Sequence, residues 1–159
     1  MTVALVLVLA CEAGPGNAFQ GTVVRCGDGD SLTVRSESGA LHEIRLFGVD
    51  CPELHQEYGP DALTATEEFS LNSQVEVLSM EMDQYGRLIS LVILADGSVL
   101  NRELVREGHA WVYSRHCDKD FCGEWDADQM AAQAQGLGLW RAYDPMPPWQ
   151  WRYENGNRN

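Results

Sequence analysis

Phe19-Gln-Gly-Thr-Val-Val-Arg-Cys-Gly-Asp28-Gly-Asp30-Ser-Leu-Thr-Val-Arg-Ser-Glu-Ser-Gly39-Ala-Leu-His-Glu-Ile-Arg45-Leu-Phe-Gly-Val-Asp50 is the stretch that decides the fold. Phe19 to Arg25 alternates roughly, with Val23 and Val24 breaking the pattern, and ends at Cys26-Gly-Asp-Gly, where glycines suit the backbone angles of a turn. Ser31 to Arg35 alternates cleanly between polar and apolar residues, and Ser38-Gly39 turns the chain again. His42 to Val49 reads as a third strand. Three meandering strands in so short a stretch predict an antiparallel sheet.

Downstream, Gly59-Pro60 opens a helix running to about Leu71, with proline at the first helical position and Asp61 near the positive end of the helix dipole. Val75 to Met82 and Arg87 to Leu94 are strands joined by the hairpin turn Asp83-Gln-Tyr-Gly86. Asp96-Gly97 turns the chain, and Val99 to Glu107 is a short helix closed by Gly108. A last helix is expected over about Glu124 to Gln135, with Ala127, Met130, Ala131 and Ala134 on one face. The aromatic tail Pro145-Met-Pro-Pro-Trp-Gln-Trp-Arg152 reads as non-helical. Strands in the order three, helix, two, followed by helices, predict an α+β, mainly β fold: a five-stranded Greek-key barrel of the OB type with three packed helices. A doubly wound sheet would need strands and helices to alternate throughout.

At 159 residues the chain is one domain's worth, with 45% hydrophobic residues. Its 11 basic and 24 acidic residues give a net charge of −13, and Lys119 is the only lysine. So acidic a chain argues against tight non-specific duplex binding, which draws its affinity from counterion release at a basic face. An acidic, solubilising exterior is the simpler reading. The apolar run Val3 to Ala10 is too short to span a bilayer but fits the core of a signal peptide, and Gly16-Asn17-Ala18 suits cleavage. We therefore expect a leader over residues 1–18, a folded domain over 19–143 and a Pro/Trp-rich tail over 144–159, in an exported, periplasmic or extracellular protein. Lipid attachment at Cys11 is the alternative, since Val8-Leu-Ala-Cys11 resembles a lipoprotein cleavage site. Cys26, Cys51, Cys117 and Cys122 then remain, and Cys117 and Cys122, flanking a short acidic loop, are candidates for a disulfide. Free thiols, or a zinc site using His116, are the other readings of that pair.

The chemistry gathers in three short segments. Asp30 begins one strand and Asp50 ends the next, so the two carboxylates can converge, with Glu53 three residues beyond. Asp28 is read mainly as a turn residue. Oxygen ligands without histidine or thiolate suit calcium or magnesium. Arg45 and Arg87, on separate hairpins, can clamp a phosphate bidentately. Strict alternation places Arg45 and Asp50 on opposite faces, so a turn or bulge near Gly48 is needed to bring them together.

Asp28-Gly-Asp-Ser31, Arg45 to Glu53, Tyr58-Gly-Pro60, Asp83-Gln-Tyr-Gly-Arg87, Asn101 to Gly108 and Gly136-Leu-Gly-Leu-Trp140 together resemble the thermonuclease, or staphylococcal-nuclease-like, family. The likeness covers about Phe19 to Trp140, and the ending Pro147-Pro-Trp-Gln-Trp-Arg152 is similar to that of secreted bacterial members. The resemblance implies an OB barrel with three helices and calcium-dependent hydrolysis of DNA and RNA at the 5′-oxygen bond, leaving 3′-phosphate ends. It implies that Asp30, Asp50 and the backbone carbonyl of Cys51 hold calcium, and that Glu53 orients or deprotonates the attacking water. Arg45 and Arg87 would neutralise charge on the phosphate, and Tyr85 would contact a terminal phosphate. Gln84 departs from the family pattern, which places a lysine there. Trp111 and Tyr113 lie near, but out of register with, the family's base-stacking tyrosines.

The reading is a calcium-dependent nuclease, expected to be monomeric and to prefer single-stranded or flexible nucleic acid. The alternative is a catalytically weak OB-fold module that binds nucleic acid or protein. A calcium-binding structural protein would leave both arginines idle.

Overall fold

A computed structural model describes residues 16–156. The expected leader and the Cys11 anchor site therefore lie almost entirely outside the described residues. From Gly16 the chain is already tied to the barrel, its amide donating to the Ser79 carbonyl at 2.8 Å.

Five strands close a barrel in the spatial order β1, β2, β3, β6, β5. They are β1 (Ala18–Asp28), β2 (Ser31–Ser36), β3 (Leu41–Leu46), β5 (Gln74–Met82) and β6 (Leu88–Ile93). Neighbours run antiparallel except β3 and β6, which pair in parallel through Ile44–Leu88, Arg45–Ile89 and Leu46–Ser90. The long first strand serves two partners, bending at irregularities between Val23 and Arg25 and between Cys26 and Asp28. Alternation then fills the interior: Val23, Leu32, Val34, Ile44, Leu46, Val77 and Val92 are essentially inaccessible.

The predicted third strand is split in two. β3 ends at Leu46, the chain turns through Phe47-Gly48, and β4 (Val49–Asp50) pairs with β7 (Trp111–Val112) in a separate two-stranded ribbon. Gly48 makes this break, with φ at +71° and a site where any Cβ would lie 2.7 Å from Cys117 Sγ. Cys117 and Cys122 are bonded to one another beside it.

Helix α1 (Gly59–Ser70) lies outside the barrel; α2 (Leu100–Arg106) packs on β6 and on α3 (Cys122–Gln135). The apolar face expected for α3 is corrected. Its buried residues are Cys122, Trp125 and Ala132, whereas Ala127, Met130, Ala131 and Ala134 face solvent, with Met130 67% exposed. A tryptophan carries far more apolar area than alanines, so Trp125 sets the helix's rotation.

The tail is corrected too. Pro148 to Asn155 form a fourth helix, α4, with Pro148 at its start, where the missing N–H is not needed. Two prolines in a row forbid helix before the second of them, not after it. Gln56 Nε2 donates to the Met146 carbonyl at 2.7 Å, and Trp149 stacks on Tyr113 with ring centroids 5.3 Å apart, so α4 is held against the body. Among the described residues no helix is long and apolar enough to cross a membrane.

Candidate active site

The Gly48 turn brings Arg45 and Asp50 together. Arg45 donates to the carbonyls of Leu46 (3.0 Å) and Val49 (2.9 Å), fixing the turn, and its other nitrogen reaches Asp50 Oδ1 at 3.0 Å. Asp30 Oδ1 lies 3.3 Å from the same guanidinium. One arginine, its side chain only 16% exposed, thus faces two buried carboxylates delivered by different strand ends.

Asp30 is placed by its backbone. Its carbonyl accepts the Leu46 amide at 2.9 Å, the preceding Gly29 carbonyl is held by Thr66 of α1 at 2.6 Å, and Asp30 Oδ2 accepts the Cys51 amide at 2.7 Å. Asp28 accepts the Asp30 amide at 3.1 Å, the turn role read for it from sequence. Burial pushes the Asp30 carboxyl up to about 7; Arg45 opposes this, while Asp28 and Asp50 add to it and the Cys51 amide works against it. Arg45 stays charged: burial disfavours the cation, but Asp30 and Asp50 outweigh burial. Cys51 is buried, and burial followed by the charge of Asp30 holds its thiol well above the ordinary value, the wrong direction for a nucleophile.

A cleft of about 490 Å³ collects Asp30, Arg45, Asp50, Glu53, Arg87 and Arg152. Arg87 is oriented by the hairpin turn: Asp83 Oδ1 accepts the Tyr85 and Arg87 amides, both at 2.9 Å, and Asp83 Oδ2 accepts Arg87 Nε at 2.7 Å. Arg87 and Asp50 share the cleft without a direct bond between them. Tyr85 stands on the rim, 76% exposed, with its ring centroid 5.8 Å from the Arg87 guanidinium. Trp111 packs edge-on against Trp140 and Trp149, and one face of Tyr113 is taken by Trp149.

The residue that the sequence reading missed is Arg152. From α4 it grips Asp50 with both prongs, Nη1 to Oδ1 at 3.1 Å and Nη2 to Oδ2 at 2.8 Å, and Nη1 also reaches Glu53 Oε1 at 2.6 Å. Its bond to Asp50 keeps the guanidinium more firmly protonated than an ordinary arginine, against the burial that opposes the charge. The signal in the sequence was the tail itself, once Pro148 is taken as a helix start.

This donor set suits a hard divalent ion. Asp30 and Asp50 present oxygen alone, and Arg152 already serves as a stand-in cation on Asp50. Among the described residues no cluster of three or more carboxylate, imidazole or thiol groups is spaced as a metal site, so an ion here would rest on two carboxylates completed by carbonyl and water oxygen.

A five-stranded OB barrel with a carboxylate–guanidinium cleft at one end defines a class, and sequence comparison identifies it. Residues 43–142 match the family described as staphylococcal nuclease homologue, and the chain belongs to that family. It is 36% identical over 135 residues to a protein of Escherichia coli O157:H7 named "Uncharacterized endonuclease", covering 85% of this chain and 86% of that one. It is 30% identical over 163 residues to the "Micrococcal nuclease" of Shigella flexneri, covering 98% and 92%. A probable staphylococcal-like nuclease of Oryza sativa subsp. japonica is 27% identical over 135 residues, which make up 34% of the rice protein. The family match includes Arg45, Asp50, Glu53 and Arg87 and leaves Asp30 and Arg152 outside its bounds.

Proposed function

We propose that the protein is a calcium-dependent nuclease that hydrolyses DNA and RNA at the P–O5′ bond, leaving 3′-phosphate and 5′-hydroxyl ends. The observation that carries this reading is the meeting of Asp30 and Asp50 on one buried arginine, in a cleft that also holds Glu53 and Arg87. The names of the relatives from Escherichia coli and Shigella flexneri support it.

Asp30, Asp50 and the carbonyl of Cys51 are the groups that would hold the ion. When bound, calcium supplies positive charge against a phosphate oxygen and orders nearby water. Glu53 accepts a proton from the attacking water, whose oxygen bonds to phosphorus as the P–O5′ bond breaks, and the leaving 5′-oxygen takes up a proton from solvent while Glu53 returns its own to solvent. Arg45 and Arg87 face the non-bridging oxygens, where negative charge is concentrated, and fixed guanidiniums in a half-buried cleft stabilise that charge without reorganising. Tyr85, exposed beside Arg87, serves a terminal phosphate. Such a site needs a backbone that can bend into the cleft, which favours single-stranded or flexible substrate.

The bonded Cys117–Cys122 pair supports an oxidising, exported setting. Incubating the purified protein with single-stranded DNA, in calcium or in chelator, tests the reading. Cutting in calcium alone is expected; no cutting at any calcium or salt concentration would leave a binding module on the same barrel.

A further inference from the structure

We propose that Arg152 is a substrate-binding residue of this site: it sits on Asp50 and Glu53 until a divalent ion takes Asp50, then turns its guanidinium to the phosphodiester. The inference rests on the calcium reading and extends it to a residue beyond the span that matches the family.

Three observations carry it. Arg152 engages both oxygens of Asp50, so that carboxylate cannot serve an ion while the pair is intact. The same guanidinium holds Glu53 Oε1 at 2.6 Å, so while the pair stands that oxygen is occupied by Arg152. Third, Asp50 and Glu53 both bond this one guanidinium, so an ion that takes Asp50 removes most of what holds Arg152 in place.

Displacement frees Arg152 within the cleft that the substrate would enter. It already lines the cleft with Arg45 and Arg87, its side chain is 41% exposed, and α4 is a short helix of 8 residues. In a protein of net charge −13, a third guanidinium aimed at a polyanion is a substantial part of the local attraction. Calcium and Arg152 thus compete for Asp50 and cooperate on the phosphate, which makes substrate binding depend on the ion beyond the ion's own contacts.

Two measurements on the full chain, neither of them catalytic, test this. Calcium binding is followed by calorimetry, and binding of a single-stranded phosphorothioate oligonucleotide in calcium is followed against salt. We expect Arg152→Ala to bind calcium at least about tenfold more tightly, since a charge-assisted bidentate competitor has gone. Its salt slope should fall by about 0.7, the share of one phosphate contact on a single strand. Arg152→Lys, which keeps the charge and loses the fork, should also bind calcium more tightly yet keep the parent's slope, and it guards against a folding defect in the alanine variant. Calcium affinity unchanged or weakened in both variants would overturn the competition, and an unchanged slope in Arg152→Ala would overturn the phosphate contact. A parent protein that binds no calcium would instead sink the underlying functional reading.

Discussion

Arg152 and Asp50 stand 102 residues apart in sequence and meet through a two-pronged ion pair, with N–O distances of 2.8 and 3.1 Å, at the centre of the cleft. Arg45 bonds the same Asp50 Oδ1 at 3.0 Å, so this buried carboxylate is shared between a barrel arginine and a tail arginine. Arg45 belongs to the barrel's own framework and, in the proposed mechanism, also faces the phosphate, whereas Arg152 comes to the site from outside the barrel.

Arg45 is a framework residue. Arg45→Met would strip the cation from two buried carboxylates and release the Leu46 and Val49 carbonyls. Breaking one partner out of a buried ion cluster costs about 3–5 kcal/mol. We expect a loss of that size in urea denaturation of the calcium-free protein, together with loss of activity.

Asn101 supports the site from behind. Wholly buried, it accepts the Val92 amide at 3.1 Å and donates to the carbonyls of Phe47 (2.9 Å) and Ser90 (3.1 Å), which pins the entry to the Gly48 turn. Asn101→Ala leaves three buried backbone groups without these partners, and we expect about 3 kcal/mol lost in chemical denaturation. Calcium affinity should weaken as well, because Asp50 follows directly from that turn.

Glu53 and Arg87 line the cleft, and the proposed mechanism has both act on the phosphodiester. Glu53→Gln and Arg87→Ala should fold normally by circular dichroism, yet each should lower the cleavage rate at least about a hundredfold, the scale of a lost transition-state contact. A loss of only a few-fold in both would show that the roles are assigned to the wrong side chains.

His109 makes stability pH-dependent away from the site. It stacks on Tyr58, shares a hydrogen bond with the Tyr58 hydroxyl at 3.2 Å and has Glu107 at 3.8 Å, with Glu68 and Asp61 further off. Burial lowers its affinity for a proton below the ordinary value of 6.5, and the three carboxylates only partly offset this. Above 6.5 the ring is neutral folded or unfolded and stability is at its full value; below 6.5 the unfolded chain takes up a proton that the folded chain resists. The His109 contribution should therefore be lost as pH drops through and below 6.5, against an opposite drift from Asp30, whose raised carboxyl takes up a proton in the folded state as pH falls through about 7; the difference between parent and His109→Gln urea midpoints isolates the histidine. An equally steep profile in the variant would exclude His109 as its source.

The barrel was readable because period-two alternation and Gly-containing turns are local signals, and the strands follow them closely. What alternation could not give was the split of the third strand, because the reason lies in Gly48's left-handed backbone and in the Cys117 sulfur crowding it from 69 residues away. The sequence did require a turn at that place once Arg45 and Asp50 were to meet. The exposed alanine face of α3 followed from counting apolar residues alike, when one Trp125 outweighs them. The tail reads as non-helical from its prolines and aromatics, yet Pro148 starts α4, and Arg152 is placed in the cleft by that helix. A long-range ion pair between a tail residue and a barrel end leaves no periodic trace in one sequence.

The most direct test of the central claim is the chemistry of the ends. A 5′-labelled single strand cut in calcium should yield labelled fragments carrying a 3′-phosphate, which a polymerase extends only after phosphatase treatment, and chelation should abolish cutting. Fragments with 3′-hydroxyl ends, or cutting that persists in chelator, would contradict the account.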